Sequence, residues 1–170
     1  MKIEEIEHLL ASRYDRFAGA FLDGLILSLI VIPILLALGI FQKGMNEEPL
    51  ELWMQIVQLA LGWIAFFGLN SYLLVTRGQT VGKTIVKTKI INKNEETPDG
   101  VSIIGKRYVL PWIISYLPIV GQVFGLVNAL FIFRKDRRCL HDHLAGTYVI
   151  KLNELEPAGV VNDGAAPHSD

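Results

Sequence analysis

Long uncharged apolar runs alternate with short polar, charge-rich stretches along this chain. Between Phe17 and Phe41 the one charged residue is Asp23, between Leu52 and Val75 there is none, and a third uncharged run extends from Tyr108 to Phe133. The first two each exceed the roughly 20 residues that a helix needs to cross about 30 Å of hydrocarbon. They predict transmembrane helices over about 17–41 and 52–75. The third run contains Pro111, Pro118, Gly121 and Gly125. Proline removes a helical hydrogen bond and glycine permits a turn, so residues 108–133 read as a broken segment, a helical hairpin or re-entrant pair turning near Pro118 to Gly121. One continuous tilted span of about 39 Å is the competing reading.

The polar stretches predict smaller elements. Residues 1–16 place Ile3, Ile6, Leu9 and Leu10 on one helical stripe with Glu4, Glu5, Glu7 and Arg13 elsewhere, the pattern of a helix lying on a membrane surface. The segment Gln42 to Glu51 is a short acidic loop that makes the first two spans a hairpin. Gly78-Gln79-Thr80-Val81-Gly82-Lys83 leads into the β-branched stretch 85–92, and 146–152 has the same character. Two lone strands on one side of a membrane would each leave backbone groups unpaired, so they are expected to pair with each other. Residues 153–170, rich in Pro, Gly, Ala and acids, are expected to be disordered. The expected fold is thus an all-α membrane domain over 1–152, with two transmembrane helices, a broken third hydrophobic segment and a small cytoplasmic two-stranded β element.

Composition agrees: 51% of the residues are hydrophobic and only 19% charged, more apolar than an ordinary soluble domain. The formal net charge of −1 conceals a segregation of charge. Lys2, Arg13 and Arg16 precede the first run, and Lys43 is the single basic residue between the first two. Seven basic residues from Arg77 to Arg107 follow the second, and Arg134, Lys135, Arg137, Arg138 and Lys151 follow the third. Lys and Arg mark the cytoplasmic side. Both termini and the second connection are therefore expected in the cytoplasm, and only a hairpin in the third run keeps the Arg134 to Arg138 cluster there. The acidic first 16 residues differ from the basic start of a cleaved signal peptide. The lone Cys139 cannot form an internal disulfide. The basic connections read as topology signals and contacts to anionic lipids of the bilayer, not as a nucleic-acid site.

Candidate chemistry centres on Asp23, about 9 Å into the first span, where an ionised carboxylate is costly unless paired or hydrated. Helical spacing puts Arg16, Gly19, Ala20, Asp23 and Leu27 on one face, with small residues where another helix can approach closely. Asp23 reads either as an ion or proton site or as a neutral acid hydrogen-bonded to another helix. Asn70, at matching depth, and Asn128 are its candidate partners. Asp142 reads as a structural clamp pairing with Arg16, Arg107 or Arg138. Cys139, His141 and His143 lack a fourth ligand, so neither a metal nor another cofactor is expected. Gly121, Gly125 and Ala129 at four-residue spacing read as a close helix contact or as the hairpin turn. With no P-loop, dinucleotide fingerprint, HExxH or nucleophile elbow, the chain is not expected to be an enzyme.

Three motifs in order, Arg16-Phe17 with Asp23, Gly78 to Lys83 ahead of a strand, and Leu140-His141-Asp142-His143-Leu144-Ala145-Gly146-Thr147, resemble the RDD family of bacterial membrane proteins over roughly residues 12–152. The family is named for one arginine and two aspartates, which correspond here to Arg16, Asp23 and Asp142. The resemblance implies a multi-pass protein of the bacterial cytoplasmic (inner) membrane, with transport of ions or small ligands as its suggested role. Family members often carry an acidic residue near where Asn128 stands, and that departure weakens a carboxylate-pair mechanism. The expected function is cation and proton exchange or small-ligand transport, with Asp23 taking a proton or monovalent cation, Arg16 tuning its pKa and a homo-oligomer enclosing the pathway. A membrane scaffold or accessory subunit, with Arg16, Asp23 and Asp142 as clamps, is the alternative.

Overall fold

The structure, a computed structural model, describes residues 9–152 apart from Glu95, Tyr116, Pro118 and Lys135. The expected helix over most of 1–16 and the expected disordered tail 153–170 fall largely or wholly outside those residues. Helix α1 spans Arg13–Ala37, a short α2 spans Ile40–Met45 and α3 spans Leu52–Arg77. Ser12 and Asp15 fix the start of α1: the Ser12 hydroxyl accepts from the Asp15 N–H, and the Asp15 carboxylate accepts from the Ser12 backbone and hydroxyl. Leu9 and Leu10 therefore precede the helix rather than belonging to it, and Leu10 forms a bridge with Ile150.

α1 and α3 run antiparallel. Leu35, Ile40 and Met54 pack together at one end. At the other, both helices hold α4, the short helix Val81–Ile85. The most apolar 18-residue stretches of α1 and α3 are only 6% and 11% buried within the protein. A soluble protein's core helix would be mostly covered. Here Leu25, Leu29, Ile30, Ile56 and Ile64 stand exposed, an arrangement that water penalises and hydrocarbon does not.

Strand β1, Thr88–Ile91, pairs antiparallel with β2, Tyr148–Lys151, with Thr88 opposite Lys151 and Ile91 opposite Tyr148. The expected strand pair is present but shorter. Residues 81–85 are helical and Val86-Lys87 is a turn, so the first strand begins three residues later than its β-branched composition predicts. Gly78 makes the corner between α3 and the sheet. Its φ of 65° favours glycine, and its carbonyl accepts from the Ile90 N–H at 2.8 Å. The main core joins Ile90 and Val149 of the sheet to Phe66 and Leu74 of α3 and to Ile103.

The third apolar segment begins as a π-helical stretch, Val101–Val109, continues as α5, Leu110–Ser115, and resumes as α6, Val120–Leu130, with a final 3-10 turn, Phe131–Phe133. It doubles back. Gly121 sits so tightly on the end of α5 that a Cβ there would lie 2.3 Å from the Ser115 carbonyl oxygen, whereas a Cβ at Gly125 would meet nothing within 4 Å. Gly121 thus serves the turn, and Gly125 makes no close helix contact. Ala129 lies outside the described side chains, and Pro118 outside the described residues. Ile119, with φ of 65°, completes the reversal. The last helix, α7, spans Leu140–Ala145 and leads through Gly146 into β2.

Candidate functional site

Two polar clusters form where the loops meet the ends of α1, α3 and the folded-back segment. The first is built on α4, whose first N–H groups are capped by the adjacent Thr80, which accepts from the Lys83 N–H at 3.2 Å, and by two residues distant in sequence. Asp23 accepts from the Thr80 hydroxyl at 2.5 Å and from the Gly82 N–H at 2.7 Å. Asn70 accepts from the Val81 N–H at 2.9 Å and donates to the Phe66 carbonyl. A carboxylate at a helix N-terminus is favoured by the orphan N–H groups and the helix dipole. Asn70 and Asp23 are thus neighbours through α4, each holding a different atom of it. Glycine is required at 82 because a Cβ there would lie 2.2 Å from the Gly19 carbonyl oxygen and 2.8 Å from the Asp23 carboxyl carbon. The close approach expected on the Gly19–Asp23 face is made by α4.

The second cluster surrounds Asp142, whose side chain is fully buried. It accepts from Arg16 Nη1 at 2.7 Å, from Arg107 Nη1 and, as a cap on α7, from the Cys139 N–H at 3.1 Å. Arg107 Nη1 also meets the Thr147 hydroxyl. Arg138 stacks 4.2 Å over the Tyr148 ring and donates to the Thr147 and Asp142 carbonyls. Arg16 is therefore committed to Asp142, not to Asp23. Asn128 accepts from the backbone and ring nitrogens of His141 at 3.1 and 2.8 Å, and it too makes no bond to Asp23 among the described residues. Both arms of the folded-back segment reach this cluster, through Arg107 and Asn128, and beyond it the Ile132 and Phe133 carbonyls accept from Arg13 at 3.1 and 3.2 Å.

Burial alone would raise the Asp142 carboxyl, but Arg107, His141 and Arg16 outweigh it and hold the group well below the usual carboxylate range. Burial pushes His141 down to about 4, with Arg107, Lys83 and Arg16 adding to the effect and Asp142 opposing it. It is neutral near pH 7, as its bond to Asn128 allows. Burial likewise pushes the Cys139 thiol up. Ligand atoms of Cys139, His141 and Asp142 lie within 4.8 Å of one another. Yet Asp142 is already held by two guanidinium groups, and a thiol kept protonated is a poor ligand. The surroundings oppose a dication.

Cavities flank the clusters. One of about 290 Å3 is lined by Asp23, Leu27, Phe66, Lys83, Arg107 and Trp112. Beyond Trp112, a second of about 410 Å3 is lined by Gln58, Trp63 and Ser115. Trp112 packs edge-on to Trp63 at 5.1 Å and tilted on Phe66 at 5.4 Å between them.

The family model described as RDD family matches residues 10–146, which contain the first cluster and all of the second except Thr147 and Tyr148. The chain belongs to the RDD family. An uncharacterized protein of Haemophilus influenzae is 29% identical over 145 residues, covering 83% of this chain and 78% of its own. No solved structure matches. RDD membership and the two uncovered apolar helices together point to a membrane protein. In this RDD chain, Arg16 and Asp142 meet across 126 residues of sequence, while Asp23 caps a separate helix. Thr80, Thr147 and His141, all bound to the matched residues, were not expected as partners. The Gly-Gln-Thr-Val-Gly stretch carried the only signal, since a threonine ahead of a helix is a cap.

Proposed function

We propose that this protein spans the bacterial inner membrane through α1 and α3, with the folded-back segment entering and leaving on the cytoplasmic side, and that its role is transport-related. The observation that carries this reading is the pair of cavities on either side of Trp112. One holds Asp23 and Lys83, and the other holds Gln58, Ser115 and Trp63, whose Nε1 is buried without a partner among the described residues. Polar groups at both ends of an aromatic constriction suit a small ion or polar solute moving through an apolar bundle. Asp23 is the group on this path able to exchange a proton for a cation. A homo-oligomer would enclose cavities that one chain leaves open sideways.

The test is flux into liposomes containing only the purified protein, under imposed proton, sodium, potassium and chloride gradients. Flux above protein-free vesicles is expected for at least one ion, with Asp23→Asn abolishing proton-coupled cation flux and Trp112→Ala increasing leak. Absence of flux under every gradient by a folded protein would overturn the reading. A second reading, a scaffold or accessory subunit, is favoured by a specific observation: the oxygens of Asp23 and Asp142 are all engaged by donors of the protein itself.

A further inference from the structure

A cavity of about 510 Å3 opens beside the first turn of α1, and Arg13, Arg16, Lys83 and Arg107 all line it. Its charge is not balanced. Arg16 and Arg107 share the single carboxylate of Asp142, and among the described residues Asp23 in the adjoining cavity is the remaining acid close to them. The nearby Asp15 is turned to Lys151, and Asp136 to Arg134 and His143. Moreover, Arg16 Nε and Nη2 and Arg107 Nε are buried with no partner among the described residues, although Arg16 is only 9% and Arg107 4% exposed. Buried guanidinium N–H groups left unbonded are costly, and together they present a donor set suited to a phosphate or another oxyanion.

The position selects the source of that oxyanion. Arg13 and Arg16 stand in the turn just before the apolar run that starts at Phe17, the depth of lipid phosphates for a helix that crosses the bilayer. The rim is apolar and faces outward, with Phe17 66% and Phe133 67% exposed. We propose that this basin is a site for an anionic phospholipid, its phosphate held by Arg16, Arg107, Lys83 and Arg13 and an acyl chain lying along Phe17 and Phe133. The site requires no flux and stands whether or not the protein transports anything.

The test titrates the full-length protein in neutral detergent with phosphatidylglycerol, phosphatidylcholine or inorganic phosphate and counts bound lipid by native mass spectrometry. Arg16 and Arg107 hold the fold, so the variants are Arg13→Gln and Lys83→Gln, with Lys93→Gln on the exposed turn after β1 as the comparison. Phosphatidylglycerol is expected to bind at least tenfold more tightly than phosphatidylcholine. Each basin variant should weaken it about fivefold, and Lys93→Gln should leave it unchanged. Equal binding of the two lipids, or an equal loss with Lys93→Gln, would overturn the site. Displacement of the lipid by millimolar inorganic phosphate would assign the basin to a soluble oxyanion and overturn the lipid.

Discussion

Replacing Asp142 with Asn keeps the size of the side chain and an acceptor for the Cys139 N–H but removes the charge that Arg16 and Arg107 share. The arginines are 9% and 4% exposed and Asp142 is wholly buried. The variant leaves two guanidinium groups in the interior without a counter-charge, a change that costs about 3–5 kcal/mol. Against the 5–15 kcal/mol that holds a typical domain together, this is a large fraction, and it lowers the unfolding midpoint by roughly 10 °C for a domain of this size. Trp63 and Trp112, in contact at 5.1 Å, allow intrinsic fluorescence to follow thermal unfolding of the purified protein in detergent. The triple variant Asp142→Leu, Arg16→Met, Arg107→Met removes charge and counter-charge together and should recover most of the loss, because the desolvation of the ions disappears with their attraction. A midpoint within about 2 °C of the parent for Asp142→Asn would refute the reasoning, as would a triple variant no more stable than the single one.

Gly82→Ala should destabilise by about 1–3 kcal/mol or more, since the new methyl would press on backbone of α1 that cannot give way; thermal unfolding reads it, and a neutral result would show that α4 is not docked on Gly19. Asp23→Ala and Thr80→Ala should each cost about 0.5–2 kcal/mol as lost caps of α4, and the double variant should cost less than their sum because they share one bond; strict additivity would contradict the pairing. Stability should fall on acidification. His141 is neutral in the fold down to about pH 4 but takes a proton near 6.5 when unfolded, so its contribution is complete above about pH 6.5 and is lost towards pH 4, up to about 3 kcal/mol. Asp142, whose folded value is depressed, adds a further loss below about pH 4. His141→Gln should flatten the upper part of that profile, and an unchanged profile would remove His141 from the account.

The sequence carried the parts of this fold that depend on composition along the chain. Apolar runs with at most one charge predict spans at 17–41 and 52–75, and the apolar helices lie at Arg13–Ala37 and Leu52–Arg77. The shift at the first start has a local signal, the Ser12–Asp15 capping box, which outweighed the apolar stripe that drew Leu9 and Leu10 into a helix. α4 is not predicted from the sequence, because five residues do not sustain a helix by themselves. Thr80 caps it locally, but the rest of its hold comes from Asp23 and Asn70, 59 and 11 residues from the atoms they bind, and no local pattern reports those partners. The π-helical start of the folded-back segment was likewise not legible. Of the candidate site residues, Arg16, Asp23 and Asp142 stood out through buried charge and family resemblance, but which of them meet is decided by topology. Helical spacing put Arg16 and Asp23 on one face, and the fold gave each a different partner.

In the proposed topology the third apolar segment, which doubles back in the structure, enters and leaves the membrane on one side, with Arg107 near its start and the Ile132 and Phe133 carbonyls that accept from Arg13 at its end. Membrane-impermeant thiol labelling of single cysteines in a Cys139→Ser background tests this most directly, with Ser102→Cys at the start of the segment, Arg134→Cys after it and Asn46→Cys in the loop between α2 and α3. Ser102→Cys and Arg134→Cys are expected to label only from the cytoplasmic side and Asn46→Cys only from the outside. Labelling of Ser102→Cys and Arg134→Cys from opposite sides would contradict that topology.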